Sequence, residues 1–204
     1  MPSLWVILYW TWCASEVLLV VVTRTRRHSG GTVRDRGSIF VLWIVIFGSI
    51  WVGSEHGYTH GYTMFGGAHW LRTASLGMMV AGLAIRWVSI VSLGRAFSVN
   101  VAIRADQKLY RRGLFAVVRH PSYTGMMIIF AAIGVRTRNW MALAILVIPT
   151  FAALLYRMRV EEAALGQAFG QDYEDVGYGF VFGEVRVELV SEKDRKSTRL
   201  NSSH

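Results

Sequence analysis

Long apolar runs separated by short polar loops set the plan of this 204-residue chain. The runs cover residues 4–22, 39–52, 73–93, 124–135 and 140–156. A bilayer core is about 30 Å thick and takes about 20 apolar residues to cross as a helix. The pattern therefore predicts an all-α integral membrane protein with about five transmembrane helices. Only Arg136, Thr137, Arg138 and Asn139 separate the last two runs, so these two should form a helical hairpin. Crossings use most of the chain, leaving no room for a separate soluble catalytic domain. Any active site must be made from helix ends and loops.

Charge adds orientation. Residues 23–37 carry five Lys or Arg and residues 94–123 carry six, against one in residues 54–72 and two in the hairpin link. The positive-inside rule then places the N-terminus outside and the C-terminus in the cytoplasm of an inner or plasma membrane. The first run precedes Arg24, Arg26 and Arg27 and follows no positive residue, the reverse of a cleavable signal peptide. A net charge of +9 would suggest nucleic acid for a soluble protein, but here it is better read as topology-setting arginines that meet anionic lipid. Trp5, Trp70 and Trp140 lie near run ends and read as interface anchors. Cys13 is the only cysteine, which excludes an internal disulfide. Glu16 and Arg86 both fall at membrane depth, where an ion pair between the first and third helices would account for them.

Chemistry concentrates in two places. The first is Arg119-His120-Pro121-Ser122-Tyr123, where the proline biases His120 away from helical geometry and starts the fourth helix. A helix start offers free N–H groups to an anion, although His-Pro-Ser could equally be a plain helix cap. The second is Arg157, Glu161 and Glu162, with Arg157 and Glu161 four apart on one helix face. Alone these could be a solvated ion pair. Both clusters fall on the same predicted membrane face, which makes them more specific together than apart. His56 and His60 have a metal-compatible spacing, with Glu55 and His69 nearby, but Gly57 and Gly61 should break a helix there and no metal is expected.

The R-H-P-x-Y…E-E-x-x-L arrangement resembles the isoprenylcysteine carboxyl methyltransferase family from about Phe97 to Tyr173. The chain's compactness suggests a small, prokaryotic-type member. The resemblance implies an S-adenosyl-L-methionine-dependent methyltransferase with a cytoplasmic cofactor site and a lipophilic small-molecule or lipidated acceptor. It further implies cofactor contacts from Asn100, Gln107, Lys108, Leu109, Tyr110, Phe115, His120, Pro121, Ser122 and Tyr123. Glu161 would hold the cofactor's amino group and Arg157, the catalytic residue, would face the acceptor's carboxylate. Asn100 replaces a Gln of better-known members, and Phe115 a Tyr. An ionised carboxylate and an activated sulfonium methyl need alignment and desolvation rather than a general base. The alternatives are a lipid-amine N-methyltransferase and a non-catalytic membrane protein or inactive copy.

The end of the chain reads differently. Residues 1–175 make the expected membrane methyltransferase domain, and residues 176–204 depart from the family's basic ending, as a frame slip or chimeric join would. Residues 194–204 match a codon-by-codon translation of a common sequencing-library adapter.

Overall fold

The computed structural model describes residues 3–25, 32–33, 37–59, 63–94, 102–103 and 112–169. The 176–204 tail and its expected origin lie outside the described residues. Five long helices carry the fold: α1 (Leu4–Thr25), α2 (Gly37–Thr59), α3 (Trp70–Leu93), α4 (Pro121–Thr137) and α5 (Trp140–Phe169). Two 3-10 turns, Met64–Gly67 and Gly113–Ala116, precede α3 and α4. Three helices hold segments long and apolar enough to cross a membrane, Leu4–Val22, Trp70–Leu93 and Trp140–Gln167, and α2 contains a shorter apolar stretch, Phe40–Glu55. The all-helical membrane fold read from the apolar runs is borne out. Two residues per strand add a small antiparallel pair, β1 (Thr32–Val33) with β2 (Ala102–Ile103).

Two boundaries differ from the sequence expectation. Helix α2 continues through Gly57 to Thr59, so glycine does not break it there. One glycine costs a helix about 1 kcal/mol, which packing easily overrides. Helix α5 runs on past Tyr156 to Phe169. At 1.5 Å per residue its 30 residues measure about 45 Å, longer than the hydrocarbon core, and its charged residues Arg157 to Glu162 follow the apolar run that ends near Tyr156.

The loops sort to two ends of the bundle. At one end Met64 donates its N–H to the Arg138 carbonyl at 2.7 Å, the Arg138 Nη1 donates to the Gly67 carbonyl at 2.8 Å, and Arg136 lies over the Trp5 ring. Phe65, Trp70 and Trp140 cluster there with ring centroids 5.6 and 5.7 Å apart, and all three are exposed, as aromatic anchors at a membrane interface are. At the other end β1 pairs with β2, joining the two Arg-rich connections that the charge count assigns to one face.

Helix α3 packs along α4, α5 packs against both α2 and α4, and α1 joins through α3. Phe130, Ile129, Met79, Leu146 and Leu154 are fully buried at the centre, and Trp12 meets Phe130 edge-on at 5.7 Å. Outward, α2 exposes Phe40, Phe47 and Trp51, side chains that acyl chains solvate better than water does.

Small residues set the spacing of α3 and α4. A Cβ on Gly125 would lie 2.7 Å from the Arg86 nitrogen and 2.8 Å from the Gly82 carbonyl oxygen, both backbone atoms that cannot rotate away. A Cβ on Gly82 would meet the Gly125 carbonyl oxygen at 2.9 Å. Backbone approach of this kind replaces the hydrophobic drive that lipid removes. Gly125→Ala should therefore destabilise the protein by about 1–3 kcal/mol through overpacking. Gly77→Ala, with nothing within 4 Å of the added Cβ, should not. Thermal midpoints in detergent check this, and equal midpoints would show that α3 and α4 are not in contact at Gly125.

Candidate active site

Proline starts α4. His120 has non-helical backbone angles (φ −122°, ψ 61°), Pro121 takes the first helical position, and the His120 carbonyl accepts the N–H groups of Tyr123 and Thr124 at 3.1 Å each. Pro121 lacks an N–H that would have had no helical partner, so its place costs no hydrogen bond. The turn directs Tyr123 toward α5, where its hydroxyl donates to Glu161 Oε2 at 2.8 Å. His120 stacks on Tyr123 with centroids 5.5 Å apart and planes 25° apart. Its Nε2 lies 3.2 Å from Glu162 Oε1, and its Nδ1 lies 3.9 Å from Glu161 Oε2. Arg119 Nη1 is 3.8 Å from the same Glu162 oxygen. Two clusters 38 and 42 residues apart in sequence thus form one site.

Arg157 is 2% exposed, and its guanidinium hydrogen-bonds the Tyr123 phenol, so the phenol sits between a carboxylate and a buried cation. The Glu162 carboxyl is held below its ordinary value of 4.5. Its hydrogen bond with His120 is the largest cause; burial works the other way, and the charges of His120 and Arg119 add to the lowering. An apolar groove of about 260 Å³ opens from His120 and Tyr123. Met78 of α3, Met127 and Ile128 of α4, and Leu154 and Met158 of α5 line it. One site therefore holds charged groups at its head and a lipid-compatible trough beside them.

The structure brings together His120, Tyr123, Arg157 and Glu161 from the sequence expectation. Pro121 is fully buried, and Ser122 turns inward, its Oγ accepting a hydrogen bond from Arg86 Nη1 at 2.9 Å. Phe115 is half-buried in the 3-10 turn that lies against α3. Asn100, Gln107, Lys108, Leu109 and Tyr110 lie outside the described residues, as does His60. Sequence reading assigned no role to Glu162, Arg119 or the groove. Glu162 stood in the motif already, but nothing local said that its partner would be His120.

Residues 75–167 match the model of the isoprenylcysteine carboxyl methyltransferase (ICMT) family. The chain is 29% identical over 106 residues to protein-S-isoprenylcysteine O-methyltransferase B of Arabidopsis thaliana, covering 51% of this chain and 54% of that protein. It is 31% identical over 105 residues to the protein-S-isoprenylcysteine O-methyltransferase of Schizosaccharomyces pombe, covering 50% and 44%. Among solved structures it resembles the eukaryotic intramembrane Ras methyltransferase ICMT, with a TM-score of 0.57 and 25% identity over 69% of this chain and 52% of that one. The chain spans about half the length of the curated relatives it matches. The family resemblance carried by R-H-P-x-Y and E-E is borne out, and the matched segment contains the whole cluster from Arg119 to Glu162.

The lowered Glu162 carboxyl gives a pH test. A carboxyl depressed in the folded state stabilises above its unfolded value, and that contribution is lost as pH falls through the folded value. Below pH 4.5 the thermal midpoint of the protein in detergent should fall more steeply than that of Glu162→Gln. Parallel curves would mean that Glu162 gains nothing from His120 and Arg119.

Proposed function

We propose that this chain is a membrane methyltransferase that moves a methyl group from S-adenosyl-L-methionine to the carboxylate of a lipophilic, isoprenoid-cysteine-like acceptor. The observation that carries the reading is the joining of Tyr123, Glu161 and Arg157 into one polar head beside an apolar groove. The donor set suits the cofactor. Glu161 offers a carboxylate to an ammonium, the stacked His120 and Tyr123 rings offer an aromatic face, and Arg157 offers a planar fork to a carboxylate. When bound, the cofactor supplies a methyl group already activated by a sulfonium.

The chain's own residues then have three tasks. Arg157 orients the acceptor's carboxylate, which is ionised at neutral pH and needs no base. The groove between Met127, Leu154 and Met158 takes up the acceptor's apolar chain and keeps water from the reacting end. Glu161, aligned by the Tyr123 hydroxyl, holds the cofactor's ammonium. The site end of the bundle faces the cytoplasm, in line with its Arg-rich connections. The buried guanidinium beside Tyr123 also supports a carboxylate rather than an amine acceptor. A second positive charge beside Arg157 would be repelled, whereas a carboxylate is attracted.

Glu161→Gln should weaken S-adenosyl-L-methionine binding by about 1.5–3 kcal/mol, the worth of a hydrogen bond to a charged group. Calorimetric titration in detergent reads this directly, and unchanged affinity would remove Glu161 from the site. Arg157→Lys keeps the charge but loses the fork, so methyl transfer to a farnesyl-cysteine analogue should drop about a hundredfold through misalignment. Cofactor affinity should hold. If both fall together, Arg157 supports the fold and does not face the acceptor.

A further inference from the structure

A second set of deeply buried charges lies outside the catalytic cluster. Glu16 of α1 is 7% exposed and Arg86 of α3 is 5% exposed. Arg86 forks onto Glu16, with Nε donating to Oε1 and Nη2 to Oε2, and Trp12 Nε1 donates to the same Oε1 at 3.1 Å. This bears out the ion pair expected from two charges at membrane depth. The sequence does not reveal where the rest of the guanidinium goes. Nη1 donates to Ser122 Oγ at 2.9 Å and approaches the Ser122 carbonyl at 3.4 Å. Ser122 directly precedes Tyr123.

We infer that Glu16 and Arg86 form a clamp that positions the first turn of α4, and through it the cofactor-binding Tyr123 and His120; this rests on the function proposed above. Three observations converge. Gly125 lets the Arg86 backbone lie against α4, so the guanidinium starts from a fixed place one turn from Ser122. Nη1 holds both the side chain and the carbonyl of Ser122, restricting rotation of that turn as well as its distance from α3. Glu16 is needed for charge reasons. The N-terminus of α4 carries partial positive charge, and a bare guanidinium beside it would be repelled, whereas a guanidinium already neutralised by a carboxylate can act as a neutral donor.

The clamp also reaches beyond the segment that matches the family model. That segment begins at residue 75 and includes Arg86 and Ser122, whereas Glu16 lies on α1. Arg86 and Glu16 touch neither Glu161 nor Arg157 in the bonds described, so they are positioning residues. Ser122→Ala removes the shorter of the clamp's two contacts and leaves the ion pair intact. That makes it the cleanest probe, because breaking the buried pair itself would strand a charge and could unfold the protein.

The experiment uses the full chain in detergent, with Ser122→Ala, Ser122→Thr and, as a lipid-facing control, Val91→Ala. Amide hydrogen exchange of the peptide around residues 119–126 is measured without ligand, and S-adenosyl-L-methionine affinity by calorimetry. Ser122→Ala should exchange faster in that peptide and bind the cofactor about tenfold more weakly, as the loss of one charge-assisted bond implies. Its thermal midpoint should fall only modestly, because the Glu16–Arg86 pair and the contact of Arg86 Nη1 with the Ser122 carbonyl remain. Ser122→Thr, which keeps the hydroxyl, should restore both readouts, and Val91→Ala should change neither. Unchanged exchange in Ser122→Ala overturns the clamp. Faster exchange with unchanged affinity overturns its positioning role. If the parent chain itself binds no S-adenosyl-L-methionine, the proposed function fails, and the exchange arm still decides whether Arg86 holds the turn.

Discussion

The close approach of α3 and α4 at Gly82 and Gly125 is the constraint on which the site's geometry depends. In a bilayer two apolar helices gain nothing by hiding from their solvent, so contact must come from van der Waals packing and from polar groups satisfied between them. The two glycines supply the packing. They also bring the Arg86 backbone onto α4, which lets its side chain reach Glu16 on one side and Ser122 on the other. Hydrogen-bonded at both ends, the charges cost far less to bury than they would alone. Helix α1 is thereby tied to Ser122, 106 residues after Glu16.

From that turn the polar head and the apolar groove follow from the direction of one helix. Tyr123 follows Ser122 and faces α5, while Met127 and Ile128, one turn on, line the groove below it. Helix α5 mirrors this arrangement. Its Leu154 and Met158 line the groove, and Arg157, Glu161 and Glu162 stand at the polar end. Because α5 outlasts the apolar run, these charges follow it without a break in the helix.

Much of this was legible in the sequence, for physical reasons. Apolar runs of membrane length leave few choices besides helices, because unsatisfied backbone groups are too costly in lipid. Glu16 and Arg86 were legible as partners because charges at that depth must be paired. The Arg119–Tyr123 and Arg157–Glu162 clusters were legible as one site because loop charge placed them on one face. What stayed hidden depends on contacts across long stretches of chain. Ser122 reads as a helix cap or a cofactor contact, and only the packing of α3 turns it toward Arg86. Gly82 and Gly125 read as ordinary helix glycines until the opposing backbone is in place. The continuation of α5 through Glu161 was legible from the Arg157–Glu161 spacing. Its end at Phe169 was not, because Arg157 to Gln167 lose the apolar run while remaining good helix formers.

The two adjacent glutamates show how the fold gives like residues different work. Neighbours on a helix project about 100° apart, so Glu161 and Glu162 cannot share one partner equally. Glu162 faces His120 at 3.2 Å and Arg119 at 3.8 Å, groups that are or can become cationic, and its carboxyl is held low in consequence. Glu161 takes its short hydrogen bond from the Tyr123 hydroxyl, a neutral donor, with the His120 ring farther away at 3.9 Å. A neutral donor fixes the position of a carboxylate without cancelling its charge. Of the pair, Glu161 is therefore better suited to receive an incoming cation, and Glu162 to hold His120 in place against Tyr123.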